Sequence, residues 1–363
     1  MRRSGLLGAL LATLILTLLM PGVWRGFLAG DTVRMEKSLR PPEMRTLTLW
    51  MLGQENGDGR LLSTLLSLYE NSRPGLRIFL RKADEAELYA ESAVLPDGIF
   101  YVPGEILRPE ECLQPLTLPA SQSNEAFSAG KSRGILYGVP LWYAPTVLSL
   151  PADWLSTSGE AVGFEGESYF GKSTPPPKED FSFPKAESLP WEQLLSPGQL
   201  YIRPGICMMQ LMHFCPEVRR GELAALAPDR LAASSARDIA RVLPYPEHMT
   251  AARKESLVAF PLTPGVSERV RFFSLCGNNR DAMELLSFLN SPEYHAEMEK
   301  AGFLPVLSTA VPEDPFLARY TEANPGAVFF PNAFAHTKEE LQALCLDAFR
   351  RCDDPVATLL RLR

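Results

Sequence analysis

The sequence predicts an α/β fold built as two lobes, and two observations lead to this expectation. Short runs with strand composition alternate with helix-patterned segments between positions 46 and 102, which is the order of a sheet covered by helices. The chain has 363 residues, more than one hydrophobic core usually serves. Because 46% of the residues are hydrophobic and 22% are charged, we expect both lobes to be globular.

Each element is predicted from its own residue pattern. Residues 46–51 alternate apolar and polar side chains as a strand does, and a glycine-rich loop follows at 53–59. Residues 60–69 have the apolar spacing of a helix, which the segment 71–75 stops. The same criteria predict strands at 76–80, 96–102, 146–150, 257–262 and 270–275, and helices at 83–93, 190–195, 224–242, 280–289 and 337–350.

The alternation of strands and helices predicts a parallel sheet. Ligands of such sheets lie beyond the carboxyl ends of the strands. We therefore expect the loops 53–56, 101–104 and 141–145 to converge on one rim. Two helix starts are also predicted: a turn at 277–279 that caps the helix at 280, and Thr337 as an N-cap with Glu340 three residues on.

The first 30 residues predict a signal peptide or a membrane anchor. Arg2 and Arg3 precede an apolar stretch over 5–24, which is long enough to span a bilayer if it is not cleaved. The two arginines would keep the amino terminus in the cytoplasm and place the rest of the chain outside. Residues 31–45 are polar and are interpreted as a tether. We therefore expect an exported, extracytoplasmic protein, anchored to the cell membrane if the segment is retained.

Charge and motif content argue against several functions. The net charge of −7 leaves no basic stripe for nucleic acid. The six cysteines lack CxxC or CxxH spacing, no HExxH motif is present, and the four histidines are assigned no catalytic role. We predict no enzyme, no metal and no cofactor; a glycosidase with carboxylates from distant segments is the enzyme alternative. The cysteines permit disulfides outside the cytoplasm, and free buried thiols are the alternative.

Six short segments resemble the motifs of a known family and occur in the same order. Near the amino terminus these are Tyr69–Ile78 (F/Y-E-x-x-x-P-G-I-x-V), Leu95–Phe100 (x-P-D-V-I/V), Leu113–Leu116 (L-x-P-L) and Tyr137–Pro140 (Y-G-V-P). Nearer the carboxyl terminus, Asn278–Glu293 resembles S-K-N-x-E-A-A-x-x-F-x-x-F-L-x-S-P-E and Ala301–Val306 resembles x-G-x-L-P-V/A. Together they make the chain similar to the family 1 extracellular solute-binding proteins of ABC importers, the sugar-binding branch.

The resemblance implies a periplasmic-binding-protein-like fold, with a hinge and a cleft between two lobes. Residues 46–145 plus 265–312 would form lobe 1, and 146–264 plus 313–363 would form lobe 2, with 156–190 as a surface insertion. The implied function is to capture a small solute, a sugar or an oligosaccharide, and to deliver it to the membrane subunits of an ABC permease.

The sequence also departs from the family. It has no lipid-attachment cysteine near the amino terminus, since its first cysteine is Cys112. It also has no counterpart of the family's G-x-A-A-M-x-x-x-G-x-W stretch. These departures support an alternative function. The chain would then be a membrane-anchored relative that no longer transports and acts as a sensory or interaction module.

Aromatic and polar residues near the expected cleft are the candidate ligand contacts. Trp142 and Tyr143 are candidates for stacking on a sugar ring, with core packing as the alternative. Gln54, Glu55 and Asn56 could hydrogen-bond ligand hydroxyls, or form a solvated loop. The remaining candidates are Tyr101 on the predicted rim, Trp191 at a helix start and Tyr245, the aromatic residue in place of the missing tryptophan stretch.

Overall fold

A computed structural model describes residues 44–53, 57–90, 94–117, 125–156, 186–226, 236, 238–262, 269–308, 310–324 and 330–362. The predicted signal or anchor, most of the tether and most of the predicted insertion at 156–190 lie outside these ranges. Within them, no helix combines the length and the apolar content needed to cross a bilayer.

A six-stranded sheet contains the strands nearest the amino terminus. Its strands are β1 (Arg45–Leu52), β2 (Leu76–Ala83), β3 (Gly98–Tyr101), β6 (Val139–Tyr143), β11 (Val270–Leu275) and β12 (Leu304–Pro305), in the order β12-β6-β11-β3-β1-β2. β1 and β3 are parallel, but β11 runs antiparallel to both β3 and β6. The predicted parallel pairing is thus confirmed for β1 and β3, but the sheet as a whole is mixed, because the chain returns to it in the opposite direction after forming a second sheet.

The second sheet has four strands in the order β10-β7-β9-β8. They are β7 (Thr146–Pro151), β8 (Leu200–Ile202), β9 (Ala240–Pro244) and β10 (Leu257–Pro261). β7 is antiparallel to β9 and β10, whereas β8 and β9 are parallel. A separate hairpin pairs β4 (Lys131–Ser132) with β5 (Ile135–Leu136).

The described residues form thirteen α-helices. The first seven along the chain are α1 (Gly59–Ser72), α2 (Glu85–Leu88), α3 (Pro109–Cys112), α4 (Asp153–Ser156), α5 (Trp191–Leu194), α6 (Ile206–Phe214) and α7 (Arg220–Ala224). The later ones are α8 (Tyr245–Ala252), α9 (Arg280–Leu289), α10 (His295–Lys300), α11 (Pro315–Ala323), α12 (Lys338–Arg350) and α13 (Pro355–Arg361).

Both predicted helix starts are confirmed. The Asn279 side chain accepts a hydrogen bond from the Asp281 amide at the start of α9. At the start of α12, the Thr337 hydroxyl accepts from the Glu340 amide and the Glu340 carboxylate accepts from the Thr337 amide. These bonds satisfy amide groups that the first helical turn leaves without a partner.

Two predicted helices are corrected. The helix expected over 83–93 shrinks to α2, because Ala83 completes β2 and Tyr89 already leaves helical geometry. The helix expected over 224–242 is wrong at its carboxyl end, where Ala240 begins β9. There the buried side chains of Ala240 and Val242 join the core while their backbone pairs with β7 and β8, so tertiary pairing overrides the helical propensity of alanine.

Asp97 connects three elements beside the six-stranded sheet. One carboxylate oxygen accepts from the Thr48 amide in β1 at 2.7 Å, and the other accepts from the side-chain amide of Asn279 at 2.7 Å. Since Asn279 caps α9, the carboxylate ties the sheet to the start of that helix. Asp97 therefore braces the structure at this point.

Each sheet has its own hydrophobic core. Helix α6 packs on the four-stranded sheet, and α12 and α13 pack on α6; this cluster includes the buried side chains of Leu148, Met209 and Phe349. A second cluster, on the six-stranded sheet, contains Tyr101, Tyr143, Phe272 and Tyr320.

The chain passes between the two sheets at two adjacent places. Tyr143 ends β6 in the first sheet, and Thr146 begins β7 in the second. On the return, the Leu262 amide donates to the Thr146 carbonyl, and the Ala144 amide donates to the Arg269 carbonyl, both at 3.1 Å. These bonds join the described ends of the two crossings, where a two-lobe fold would rotate as at a hinge.

By its contacts the chain separates into two units. One comprises the described residues of 47–69 and 78–363 and includes the four-stranded sheet and most of the six-stranded sheet. In the other, the described residues are 44–46 and 70–77, where the Arg45 amide donates to the Gly75 carbonyl at 2.8 Å. The predicted lobe boundaries are a different division of the chain and stay a prediction.

Candidate functional site

Trp142 lies in the protein core. Its side chain has no exposed surface, and its indole nitrogen donates to a carboxylate oxygen of Asp58 at 3.1 Å. Arg271 binds the same carboxylate through two nitrogens, each at 2.8 Å, and both partners are at most 2% exposed. Two charge-assisted bonds and the indole bond satisfy the Asp58 carboxylate. In this structure Trp142 thus matches the core-packing alternative, and its ring is not open to a solute.

The Asp58 carboxylate also marks the start of α1. The Asp58 carbonyl accepts from the Leu62 amide, the first bond of that helix, so the carboxylate lies at the positive end of the helix dipole. We call Asp58, Trp142 and Arg271 the buried ion-pair network. It links α1, β6 and β11 and belongs to the folded scaffold.

Three other candidates are also buried among protein groups. The Tyr101 hydroxyl bonds to the Ser274 hydroxyl at 2.9 Å. The Trp191 indole donates to the Ala186 carbonyl at 2.6 Å, and Tyr245 stacks on Phe316 with ring centroids 4.2 Å apart. Their roles as ligand contacts stay predictions, and so do those of Gln54, Glu55 and Asn56, which lie outside the described residues.

Tyr143, the neighbour of Trp142, faces a cavity instead. The cavity has a volume of about 180 Å³ and lies between the end of β6, the segment that follows β12 and helix α11. Its walls are formed by Ala126, Tyr143, Glu299, Leu304, Pro305, Val306, Ser308, Ala310, Pro312, Tyr320, Thr321, Asn324 and Phe330. Of the predicted ligand contacts that the structure describes, Tyr143 alone lines it. We call it the tyrosine cavity.

Three aromatic rings give the tyrosine cavity its apolar surface. Tyr143 and Phe330 meet edge to face with centroids 5.4 Å apart. Burial, and then the neighbouring Tyr320, raise the pKa of Tyr143 well above its ordinary value. Burial likewise raises the pKa of Tyr320. Both phenols therefore remain protonated at neutral pH and can donate a hydrogen bond.

The polar groups of the cavity are only partly satisfied. The Tyr320 hydroxyl is fully buried and has no hydrogen-bond partner among the residues that the structure describes, although a buried hydroxyl normally has one. One Glu299 oxygen accepts from the Glu313 amide at 2.9 Å. An unpaired hydroxyl beside aromatic faces is the arrangement that a small polar ligand with an apolar face would complete.

Sequence reasoning missed Tyr320, Phe330 and Glu299. Tyr320 lies three residues after Leu317 on helix α11, and both side chains are buried. Such apolar spacing is typical of side chains that pack in a hydrophobic core. Phe330 precedes Pro331 at the end of an apolar run. Neither pattern shows that these rings meet Tyr143, because the contact joins segments almost 200 positions apart.

Two segments of the chain match sequence motifs that some enzymes use. Residues 130–134, GKSRG, match G-x-S-x-G, but in the structure they form the β4–β5 hairpin turn, with positive φ at Arg133 and Gly134. A nucleophile elbow needs a strand-to-helix turn instead. Residues 166–173, GESYFGKS, match the phosphate-binding pattern G-x-x-x-x-G-K-S and lie outside the described residues.

A serine–histidine contact exists but is enclosed. The Ser149 hydroxyl and His248 Nδ1 are 2.9 Å apart and both residues are buried. Burial lowers the pKa of His248 to about 4, so the imidazole is neutral at pH 7. Neither residue is among those that line the tyrosine cavity. The contact therefore satisfies two core polar groups rather than a substrate.

The chain was compared with known families, curated proteins and solved structures. No family model matches it, and no curated protein matches it by sequence. The GacH receptor of Streptomyces glaucescens, solved unliganded and with acarbose, is 12% identical over 86% of this chain and 96% of that chain, with a TM-score of 0.55.

Two further solved structures are similar over nearly their whole length. CpMnBP1 with mannobiose bound is 15% identical over 88% of this chain and 99% of its own, with a TM-score of 0.52. The Thermus thermophilus maltotriose binding protein is 13% identical over 87% and 99%, also with a TM-score of 0.52. At such identities the likeness shows the fold: the chain has the two-lobe, periplasmic-binding-protein-like α/β fold of these sugar-binding proteins.

Proposed function

We propose that the protein binds a carbohydrate in the tyrosine cavity and is a divergent member of the family 1 extracellular solute-binding proteins. One observation carries the proposal: Tyr320, whose buried hydroxyl has no hydrogen-bond partner among the described residues, lines a cavity together with Tyr143 and Phe330. Sugar rings combine hydroxyls, which would pair with such a group, and apolar C–H faces, which pack on aromatic rings. The sugar-bound structures with the same fold support this choice of ligand.

The size of the cavity favours a small ligand. Binding pockets for drug-sized molecules hold roughly 300–1,000 Å³, whereas this cavity holds about 180 Å³. A single sugar ring suits that volume better than an oligosaccharide does. We therefore propose a monosaccharide, or one terminal ring of a longer sugar, as the bound group.

The transport role is proposed from the sequence and the fold together. The resemblance to importer proteins and the predicted amino-terminal export signal support a location outside the membrane and a partnership with ABC permease subunits. Tyr143 lies two residues from Pro145 in the connection between the two sheets. A ligand held by Tyr143 would then bias rotation about these connections, since it binds one arrangement of the lobes better than the other.

Thermal unfolding with added sugars tests the proposal. Monosaccharides and short oligosaccharides, each over a concentration series, should raise Tm in proportion to binding, with about 2.7 kcal/mol of added stability at about 100 times Kd. Linear polyols are the control, because they carry hydroxyls without a ring face. If no sugar changes Tm beyond the polyol effect, carbohydrate binding is refuted.

A further inference from the structure

We propose that the sugar bound in the tyrosine cavity carries a positively charged amino group, so that the ligand is an amino sugar. The inference rests on the proposed carbohydrate function and adds the charge of the ligand. Glu299, which lines the cavity wall, is the negative group that would pair with this amino group.

Within the described ranges, Glu299 is a buried residue whose carboxylate has no counter-cation. Its residue is 8% exposed, on helix α10. Its one bond is the acceptance from the Glu313 amide, and it takes part in none of the ion pairs among the described residues. A carboxylate removed from water is costly unless a charge or several hydrogen bonds compensate. One amide bond leaves most of its acceptor capacity unused.

The rest of the cavity also favours a cation. No lysine, arginine or histidine is among the described residues that line it. Tyr143, Tyr320 and Phe330 present aromatic rings, whose faces attract an ammonium group. Ser308 and Asn324 add neutral polar groups that suit sugar hydroxyls. An anionic sugar, such as a uronic acid or a sugar phosphate, would meet a like charge and no partner.

Matched sugar pairs test the charge. Titration calorimetry at about pH 6, where an aliphatic amine is protonated, compares glucosamine with glucose, galactosamine with galactose and mannosamine with mannose. The best amino sugar should bind about tenfold or more tightly than its neutral counterpart. N-acetylglucosamine, which keeps the nitrogen but loses its charge, should lose that advantage.

Two variants assign the effect to Glu299. Glu299→Gln keeps an oxygen that accepts from the Glu313 amide, so the fold should be retained, which its Tm verifies; it should bind amino and neutral sugars equally. Glu297→Gln is the matched control, since Glu297 lies on the same helix, is more exposed and pairs with Lys300 at 2.7 Å. It should keep the amino-sugar preference.

Each outcome decides between the two proposals. If amino and neutral sugars bind the wild-type chain equally, the charge inference fails and carbohydrate binding stands. If Glu299→Gln keeps the full preference, the assignment to Glu299 fails. If no sugar of either kind binds, both proposals fail.

Discussion

Trp142 and Tyr143 are consecutive residues of one strand and show two different uses of a buried aromatic side chain. The Trp142 indole joins the buried ion-pair network, where the Asp58 carboxylate has three protein donors. Tyr143 points to the opposite face of β6 and lines a cavity with Tyr320, whose hydroxyl has no donor or acceptor partner among the described residues.

The contrast shows how burial alone fails to separate structural residues from binding residues. Both side chains are almost completely buried. What differs is the bonding of the polar group nearest to each ring: the Asp58 carboxylate has three protein donors, although Arg271 Nη1 has no partner among the described residues, whereas the Tyr320 hydroxyl bonds to no described residue. We therefore expect the buried ion-pair network to govern stability and the tyrosine cavity to govern binding.

The largest change in the free energy of unfolding is expected from a variant that breaks the buried ion-pair network. Arg271→Leu leaves the Asp58 carboxylate buried with only the Trp142 indole as a partner. Removing one member of a buried pair costs about 3–5 kcal/mol, so the free energy of unfolding measured in urea should fall by that amount. The exposed pair Arg280–Glu284, at 2.8 Å, supplies the control: Arg280→Leu should cost less than about 1 kcal/mol. Equal losses in the two variants would show that the network is not a stabilising unit.

A smaller effect comes from Glu105, which lies beside the network. Its carboxylate accepts from the Val102 amide at 2.8 Å and packs against the backbone of Gly53, where any side chain would collide with it. Burial raises the pKa of Glu105 from 4.5 to about 7, although the Val102 amide, Arg271 and Lys338 oppose the shift. The folded state therefore holds this proton more tightly than the unfolded chain does.

The sign of the pH dependence follows from that difference. Between about pH 4.5 and about pH 7 the folded state binds more protons, so stability falls as the pH rises through this range. Glu105→Gln should remove this fall and raise the free energy of unfolding at about pH 8 by about 2 kcal/mol, less than the full 1.4 kcal/mol per pKa unit because the side chain keeps some contact with water. Urea unfolding at about pH 5 and about pH 8 measures it; an unchanged slope in the variant contradicts the role of Glu105.

Much of the fold follows from local sequence. Helix α9 and strand β11 have the predicted bounds, and the caps at Asn279 and Thr337 are those that the residue types predict. These features depend on side-chain spacing and on bonds within three or four residues. The strand at 240–244 does not, because its pairing with two distant strands decided against a helix.

The candidate site was harder to predict from the sequence than the fold was. An aromatic pair at the end of a strand drew attention to Trp142 and Tyr143, but the sequence could not show which face of β6 each would occupy in the folded chain. The cavity forms only when α10, α11 and Phe330 meet that strand. The buried Asp58–Arg271 pair joins residues 213 positions apart, and no local pattern encodes such a distance.

Sugar binding by Tyr320→Phe and Trp142→Phe, measured by titration calorimetry alongside urea unfolding, tests the central claim most directly. Tyr320→Phe removes a hydroxyl that bonds to none of the residues that the structure describes. It should leave the free energy of unfolding unchanged or raise it by about 1 kcal/mol, and weaken the affinity for the best monosaccharide about tenfold. Trp142→Phe should lower the free energy of unfolding by about 2 kcal/mol and change the affinity by less than about twofold. The opposite pattern, with binding lost in Trp142→Phe and kept in Tyr320→Phe, would contradict the assignment of the ligand to the tyrosine cavity.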